Sequence, residues 1–570
     1  MTTANGSSNS DVPDVLDVLI VGAGPCGLAV AARLQEETPS AMFTDEEHQR
    51  YHWIKRHSGH MSLVQAHNKK MNGVKAEKYT GFIGNSCCSR RGCQSQPVQL
   101  PSPYSTLVLD SSGDRWMERW NRSFRTLEID QLRSPMFFHV DPGDRDGMLA
   151  FTMENGRERE LWEISGCVGQ EMSKHKKKKR TKARIATGEV EINERDRKDY
   201  FSPSTKLFED YCSSVASRYG LDGPGQILQD EVADIKFDIV PEYSSIDKIF
   251  TVTTKDGRTL YSRTVVLAIG PGGSKIFPWQ LSSTEEMGAC HSLDIKTFPS
   301  PNVKARIRNR QETNVVVVGG GLSSAQVVDM AVRKGVTKVW FFLRGELKVK
   351  HFDIDLPWMG KFRNFEKAAF WTADDEEERL QMIQRARNGG SITPRYHKIL
   401  KQQAACRRVS IHTHTVIVSK KFDPSSKTWS LTTEPPIPDL PRIDYIYFAT
   451  GARSDVSSLP CLQTMNREYP INVRQGLPCI TDDLMWKQGV PLFITGRLGA
   501  LQLGPGAANL EGARLGAERI AWVLEEILGD KDDSKEKQPS LMSFAGLGNR
   551  YAGLFDTGES VTQSRLTREL

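Results

Sequence analysis

The sequence has no long uninterrupted hydrophobic run and few cysteines. Its most apolar stretch, residues 15–32, is broken by Gly22, Gly24, Pro25 and Gly27, so it lacks the roughly 20 continuous apolar residues that span a bilayer. The 10 cysteines among 570 residues follow no framework spacing, which favours reduced thiols. The first residues are polar and acidic, unlike a secretory or transit signal. These absences predict a cytoplasmic protein with no membrane span.

Strong charge of one sign and a metal-ligand pattern are also missing. The formal net charge is only +6, and much of it lies in a basic run at residues 174–184, so no nucleic-acid partner is predicted. That run is interpreted as a solvated loop rather than as a nuclear localisation signal. Four histidines between residues 52 and 67 lack a cysteine or acid at ligand spacing, and no metal site is predicted. His412 and His414 alternate along a predicted strand and are interpreted as a surface pair.

What the chain does have is a regular alternation of apolar strands and amphipathic helices. The composition, 38% hydrophobic and 26% charged, is typical of a globular protein, and the length favours two to four domains. Alternation of this kind predicts doubly wound α/β domains with parallel sheets. The predicted strands are 15–21, 264–269, 314–318, 338–343, 445–449 and 492–495, and the predicted helices are 28–36, 205–219, 323–334 and 510–528.

A glycine-rich turn follows the first predicted strand and opens the first predicted helix. Its key residues are Gly22, Gly24, Pro25 and Gly27. In such a turn the first glycine permits the tight bend, the second lets a pyrophosphate approach the backbone, and the third lets helix and strand pack closely. The helix N-terminus then offers unpaired N–H groups to the phosphates. The turn predicts a dinucleotide site.

A carboxylate for the nucleotide ribose is expected at the end of the next strand. An apolar segment at residues 40–44 ends in Asp45 and Glu46, a little over twenty residues beyond Gly22. That spacing suits an acid that binds the ribose hydroxyls. Asp45 and Glu46 are therefore predicted to complete the first site.

A second glycine turn lies about 300 residues further along the chain. Gly319 and Gly321 follow the strand at 314–318, and Ser324 replaces the third glycine, which is acceptable where a small residue suffices. The following strand ends in Arg344 rather than in an acid. A cation there suits the 2′-phosphate of NADPH better than the bare ribose of NADH, with a solvated loop arginine as the alternative.

Two dinucleotide sites in one chain indicate that one cofactor reduces the other, as in hydride transfer to a flavin. The predicted fold is two Rossmann-like doubly wound domains, with the NAD(P) domain inserted in the FAD domain. The predicted divisions are a disordered tail (1–13), an N-terminal segment of the FAD domain (14–140), a charged surface insertion (141–199), a middle segment of the FAD domain with linker (200–305), the NAD(P) domain (306–448), a C-terminal segment of the FAD domain (449–529) and a polar tail (530–570).

Further motifs resemble the class B flavin-dependent monooxygenases among the two-dinucleotide-binding-domain flavoproteins. Residues 266–270 and 448–451 are similar to the two strand-end glycine motifs that link the domains in that group. Residues 493–496 and 504–509 are similar to its C-terminal FAD-binding element. The resemblance implies cofactor contacts for Thr450, Gly451, Gly496 and Asn509, while Arg497 stands where many relatives have an acid on the ribityl chain.

Weaker matches point to the lysine/ornithine N-hydroxylating branch of that family. They are residues 53–61, after the first βαβ unit, and residues 201–211, in the second half of the FAD domain. His291 and Ser292 are similar to a histidine–serine pair in the linker of flavin monooxygenases, although the surrounding spacing differs. The Baeyer–Villiger signature is missing. The resemblance covers most of residues 14–529.

The resemblance implies a reaction but no catalytic side chain. NADPH (or NADH) would reduce FAD, O₂ would add at the flavin C4a, and the (hydro)peroxide would oxygenate a small nucleophilic substrate, with amine N-hydroxylation as one such reaction. The expected partners are O₂ and a small molecule, with a homo-oligomer left open. Two alternatives remain: a flavin reductase or oxidase of the same fold, and a flavin-binding regulatory protein with little turnover.

Two other clusters are open to a functional and a structural interpretation. Cys88 and Cys93 have the spacing of a flavin disulfide reductase but lie in a Gly/Ser/Pro-rich segment, so loop cysteines are favoured, and Cys26 is interpreted as a packing residue. Aromatic residues concentrate between 358 and 371. Core packing is the default interpretation there, with a substrate lid as the alternative.

Overall fold

The computed structural model describes residues 14–36, 104–164, 166–167, 200–270, 274–359 and 363–529. Its strands are β1 (Val15–Val21), β2 (Thr106–Asp110), β3 (Leu161–Glu163), β4 (Phe201–Pro203), β5 (Ile227–Gln229), β6 (Val232–Ile239), β7 (Lys248–Thr254), β8 (Thr259–Leu267), β9 (Ala289–His291), β10 (Asn314–Val318), β11 (Lys338–Phe342), β12 (Val409–His412), β13 (Val416–Asp423), β14 (Thr428–Glu434), β15 (Tyr445–Phe448), β16 (Val473–Arg474), β17 (Leu477–Pro478), β18 (Met485–Lys487) and β19 (Val490–Ile494).

The helices of these described ranges are α1 (Pro25–Arg33), α2 (Glu118–Thr126), α3 (Gly147–Glu154), α4 (Thr205–Arg218), α5 (Pro301–Arg308), α6 (Leu322–Arg333), α7 (Arg363–Trp371), α8 (Glu376–Arg387), α9 (Pro394–Ala405), α10 (Gln463–Glu468), α11 (Ala500–Leu503) and α12 (Leu510–Leu528). The predicted strands and helices are confirmed to within a few residues at most ends. The predicted strand at 40–44 lies outside the described residues. Within the described ranges of the chain, no helix is both long and apolar enough to cross a membrane.

The first sheet carries the first glycine turn and has eight strands among the described residues. Its order is β18-β19-β8-β1-β2-β5, with β6 and β7 extending from β8. β1 lies parallel to both β2 and β8, and β19 adds parallel to the other side of β8. Because β18 and β19 come after the second sheet in the sequence, the chain leaves this domain and returns to it. The predicted insertion of one dinucleotide-binding domain in the other is confirmed.

The second sheet carries the second glycine turn and is entirely parallel. Its order is β12-β11-β10-β15-β9. Val315 and Val317 of β10 pack into one hydrophobic cluster, whereas Val316 packs into another on the opposite face. Both faces of the sheet are therefore covered, which is why β10 carries four consecutive valines rather than alternating apolar and polar residues.

The predicted surface insertion at 141–199 is wrong over its first residues. Asp141, Met148 and Cys167 are fully buried, and helix α3 belongs to the core of the first domain. The charge pattern was misleading because Asp141 is compensated inside the protein: it accepts a hydrogen bond from Tyr211 at 2.7 Å and forms an ion pair with Arg218. Such pairing is how a carboxylate can be buried. Residues 168–199 lie outside the described residues.

A segment of the second domain spreads over the first. Within residues 352–386, which lie between β11 and β12, the buried apolar side chains pack into the core cluster of the first domain rather than into that of the second. Trp358 and Phe370 are buried there, whereas Phe365 and Trp371 are exposed. Core packing thus explains two of the clustered aromatics but not Phe365 or Trp371. Phe362 lies outside the described residues.

Arg133 fastens the two domains together at the start of this segment. Its guanidinium donates hydrogen bonds to the carbonyl oxygens of Lys350, His351 and Phe352 and to the Ser391 hydroxyl. Burial lowers the pKa of Arg133 to about 10, so it stays cationic near neutral pH. The backbone carbonyl oxygens replace the water molecules that the guanidinium loses when it is buried.

Candidate cofactor and active site

The first glycine turn has room for a phosphate at one position only. Gly22 adopts a φ of +113°, and a Cβ atom there would lie 2.5 Å from the Ala268 carbonyl oxygen. A Cβ on Gly27 would lie 1.9 Å from the Gly22 carbonyl oxygen. At Gly24, by contrast, a Cβ would meet no atom of the described residues within 4 Å. Gly22 and Gly27 are therefore required by packing, and Gly24 faces open space, as the spacing predicts.

The helices that begin at the predicted sites have no side-chain caps. Gly24 precedes α1 and Gly321 precedes α6, and Asn509, before α12, turns its amide to the Asp353 carboxylate at 2.9 Å instead of capping. Elsewhere, Ser204 caps α4 by accepting a hydrogen bond from a backbone N–H group. Uncapped N-termini leave unpaired N–H groups and a partial positive charge, which suits phosphate or a negatively charged ring.

A carboxylate that sequence reasoning missed stands beside the first turn. The predicted ribose ligands Asp45 and Glu46 lie outside the described residues. On the side of β1 away from β8, the neighbouring described strand is β2. It ends in Asp110, whose carboxylate accepts hydrogen bonds from the N–H groups of Ala23 at 2.7 Å and Ser112 at 2.6 Å. The apolar run ending in an acid was visible at 106–110, but it comes later than the usual spacing suggests.

The second glycine turn repeats the geometry of the first. Gly319 has a φ of +145°, and a Cβ there would lie 2.3 Å from the Ala449 carbonyl oxygen, whereas a Cβ on Gly321 would meet nothing within 4 Å. Ser324 is fully buried, and its hydroxyl donates to the Gly321 carbonyl oxygen at 2.5 Å. The open position again falls where a pyrophosphate would approach the backbone.

The three cations after β11 have different surroundings. Lys348 donates to the backbone and side-chain oxygens of Asn388, both at 2.8 Å, and Lys350 pairs with Asp355 at 2.7 Å. The Arg344 side chain is exposed and makes no hydrogen bond or ion pair to the residues that the structure describes. Of the three, Arg344 is the one with its donors available to a 2′-phosphate.

The motif at 448–451 is held against the linker between the domains. Thr450 donates its hydroxyl to the Ile276 carbonyl oxygen, and the Gly451 carbonyl oxygen accepts from Ile276 N at 2.9 Å and from His291 Nε2 at 3.0 Å. The His291 Nδ1 atom accepts from Leu293 N, so Nε2 carries the proton. Burial lowers the pKa of His291, which keeps the ring neutral. His291 thus positions Gly451.

The histidine pair at the end of the second sheet is not a matched surface pair. β12 ends at His412, whose half-buried ring stacks on Trp340 at a centroid distance of 5.7 Å. His414 is exposed and has a φ of 52°. Because the strand has ended before His414, the two rings do not follow strand alternation, and the predicted pair is wrong.

The C-terminal element returns to the first glycine turn. Gly496 has a φ of +72°, and a Cβ there would lie 3.2 Å from the Cys26 sulfur. Burial raises the pKa of the Cys26 thiol to about 12, so it stays protonated, as expected of a packing residue. The predicted reductase cysteines Cys88 and Cys93 lie outside the described residues.

A cavity of about 650 Å³ lies where these elements meet. Its wall includes Ala452, next to Gly451, and Ala508, next to Asn509, together with residues of α8. Asp353 braces the rim, because its carboxylate accepts from Asn509 and pairs with Arg387 at 3.0 Å. The cavity thus adjoins both the linker motif and the C-terminal element.

The cavity wall is cationic. Arg387, Arg453 and Arg497 line it, against a single lining acid, Asp455. The Arg497 side chain makes no hydrogen bond or ion pair to the described residues, and burial, reinforced by Arg387, lowers its pKa. Arg497 stands where many flavoproteins of the resembling group have an acid on the ribityl chain, and the structure places it in this cavity.

Comparison with known proteins supplies the chemistry. Residues 196–453 match the family model of L-lysine 6-monooxygenase/L-ornithine 5-monooxygenase. Two solved structures, a reduced ornithine hydroxylase from Pseudomonas aeruginosa and an ornithine N-hydroxylase from Kutzneria sp. 744, each align with 90% of this chain and 100% of their own, at 14% identity and a TM-score of 0.55. A cadaverine monooxygenase from Erwinia amylovora covers 93% of this chain and 98% of its own, at 12% identity and a TM-score of 0.54. No curated protein matches by sequence.

At these identities the solved structures establish the fold, and the family model carries the assignment of activity. The fold is the two-dinucleotide-binding-domain flavoprotein fold predicted from the glycine turns. The family model covers the middle segment of the FAD domain and the NAD(P) domain. The chain is therefore an FAD-dependent NAD(P)H monooxygenase that matches, over residues 196–453, the lysine and ornithine N-hydroxylating branch of the class B flavin monooxygenases.

Proposed function

We propose that this monooxygenase uses NADPH and O₂ to N-hydroxylate a primary amine of a small molecule in the cytoplasm. The observation that carries the proposal is the cavity of about 650 Å³, which adjoins the Gly451 and Asn509 elements. The family model and the relatives support the amine, since the Kutzneria structure contains reduced FAD, NADP⁺ and L-ornithine.

The described residues fit FAD and NADPH in the two turns. Gly22, Gly24 and Gly27 would hold the FAD pyrophosphate at the N-terminus of α1, with Asp110 reaching the ribose hydroxyls. The N-terminus of α12 would face the flavin, where its partial positive charge favours the electron-rich reduced ring. Bound FAD would supply hydride acceptance and O₂ activation.

The NADPH side is proposed in the same terms. Gly319, Gly321 and the N-terminus of α6 would bind the pyrophosphate, Ser324 would let helix and strand pack, and Arg344 would bind the 2′-phosphate. Thr450 and Gly451 would shape the linker between the two nucleotides.

The cationic cavity wall favours the reactive form of an amine. An amine attacks an electrophilic oxygen only when it is unprotonated. Nearby positive charge disfavours a second cation and lowers the pKa of a bound ammonium group. Arg387, Arg453 and Arg497 would therefore help release the amine proton.

The test measures NADPH oxidation, hydroxylamine and peroxide together, with the FAD-loaded protein and L-lysine, L-ornithine and cadaverine. The expected result is hydroxylamine formed from one amine in step with NADPH loss. Peroxide equal to the NADPH consumed, with no hydroxylamine from any amine, would favour the oxidase alternative. A protein that binds FAD but oxidises no NADPH would favour the regulatory alternative.

A further inference from the structure

A second cavity, of about 260 Å³, lies beside the first turns of α12. Its lining includes one acid, Glu511, and four cations: Arg145, Arg363, Lys367 and Arg514. Apolar side chains complete the wall, among them Phe138, Trp371 and Leu515. None of the residues lining the larger cavity lines this one. The second cavity therefore combines an excess of positive charge with an apolar surface.

The central cation of this cavity is built into the fold. Arg514 is only 6% exposed. Its Nη2 atom donates to the Phe137 carbonyl oxygen at 2.9 Å, whereas its buried Nη1 atom has no hydrogen-bond partner among the described residues. Burial lowers the pKa of Arg514 to about 10. Asp141 and Glu511 interact with Arg514 only at longer range, and no carboxylate of the described residues is in direct contact with it. Such a buried, charged arginine ordinarily requires a directly bound anion.

The acid in the cavity does not supply that counter-ion. The Glu511 carboxylate pairs with Lys367 at 2.5 Å, so it is already neutralised. Arg363, on α7, is half-buried and makes no ion pair with the described residues. Two guanidinium groups on this cavity, those of Arg514 and Arg363, thus have no directly bound carboxylate among the described residues.

The wall opposite α12 is held rigidly. In the loop between Phe138 and Arg145, the buried His139 ring donates from Nε2 to the Arg145 carbonyl oxygen at 2.8 Å and accepts from Asp141 N at 3.2 Å. Asp141 is in turn held by Tyr211 at 2.7 Å. This network fixes the backbone that brings Phe138 and Arg145 to the cavity, so the site is preorganised.

We propose that this second cavity binds an organic oxyanion, a carboxylate or a phosphate ester with an apolar body, through Arg514 and Arg363. The oxyanion would accept from Arg514 Nη1, and the apolar body would lie between Phe138 and Trp371. A planar guanidinium matches the two oxygens of either anion. A bound anion would contact α7, the loop at 138–145 and α12. The N-terminus of α12 is proposed to face the flavin.

The test uses the FAD-loaded protein and three probes: benzoate, phenyl phosphate and inorganic phosphate. Isothermal titration calorimetry should detect benzoate or phenyl phosphate, and inorganic phosphate should bind more weakly because it lacks the apolar body. The two organic probes distinguish a carboxylate from a phosphate ester. Absence of binding by both organic probes would overturn the proposal.

Two variants and one control assign the binding to this cavity. Arg514→Gln and Arg363→Gln should each weaken the bound probe by about tenfold or more, the value of a lost charge-assisted hydrogen bond. Arg363 is half-buried and unpaired, so its variant should fold even where Arg514→Gln does not. Arg453→Gln, in the larger cavity, should leave affinity unchanged. Equal affinity in wild type and Arg363→Gln, or probe binding that appears only after FAD is removed, would refute the assignment.

Discussion

Gly24 and Gly321 offer a test that separates the two nucleotide sites from each other and from folding. Each has a negative φ, −82° and −95°, and at each a Cβ would meet nothing within 4 Å in the part of the chain that the structure describes. Alanine therefore fits without strain. We expect Gly24→Ala and Gly321→Ala to change the free energy of unfolding of the cofactor-free protein by less than about 1 kcal/mol, the cost of alanine at an N-cap position.

Cofactor affinity should respond much more strongly than stability. The open space at each glycine is where a phosphate would contact backbone N–H groups, and a methyl group would hold it away. Loss of one hydrogen bond to a charged group costs about 1.5–3 kcal/mol, or roughly 10- to 150-fold in Kd. Gly24→Ala should lose FAD affinity and Gly321→Ala should lose NADP⁺ affinity, each leaving the other nucleotide unaffected.

The measurements are urea unfolding of the cofactor-free proteins, flavin fluorescence for FAD and calorimetry for NADP⁺. Each variant is the control for the other, because both add one methyl group before an uncapped helix. Affinities within twofold of wild type would refute the assignment of the turns. So would equal weakening of both nucleotides by either variant, because that would indicate a general disturbance rather than two separate phosphate sites.

Two further predictions concern charge. Arg344→Gln should raise the Kd of NADPH about tenfold and leave the Kd of NADH unchanged, because the guanidinium would contact only the 2′-phosphate, which NADH lacks. Lys348→Gln is the control, because Lys348 is already hydrogen-bonded to Asn388. An equal effect of Arg344→Gln on both nucleotides would contradict this role of Arg344. Burial lowers the pKa of His139 to about 3, whereas the pKa of histidine in the unfolded chain is about 6.5. Below pH 6.5 the unfolded state therefore binds a proton that the folded state does not bind, and the free energy of unfolding decreases as the pH falls toward 3. At pH 5 the loss is about 2 kcal/mol, and urea unfolding at pH 7 and 5 should show a smaller loss in His139→Gln; an equal loss in both proteins would exclude His139 as the source.

Local pattern was enough to predict the architecture and the turns. A buried parallel strand is apolar along its whole length, and a nucleotide turn requires glycine where a Cβ would strike backbone, as at Gly22 and Gly319. Both properties depend on neighbours in the sequence, so β1, β10 and the helices after them were predicted close to their observed positions. The family resemblance rested on the same short segments.

Charge and spacing were less reliable where partners come from distant segments of the chain. Asp141 looked like a residue of a solvated insertion, but Arg218 and Tyr211, some seventy residues away, allow it to be buried. Asp110 stands beside the first turn although the usual spacing favours an earlier acid, because strand order rather than distance along the chain decides which carboxylate ends next to β1.

The sequence by itself determined that this chain has two dinucleotide turns in one doubly wound framework, because the glycines and apolar strands that build them are local features. Only the tertiary structure decided what surrounds them: Arg497 in the larger cavity and Arg514 in the second, both with donors left unpaired by the described residues. Such positions depend on helices that come from separate segments and pack together. Whether a guanidinium group on one helix is free to bind a ligand depends on whether the neighbouring segments supply it with a hydrogen-bond or ion-pair partner.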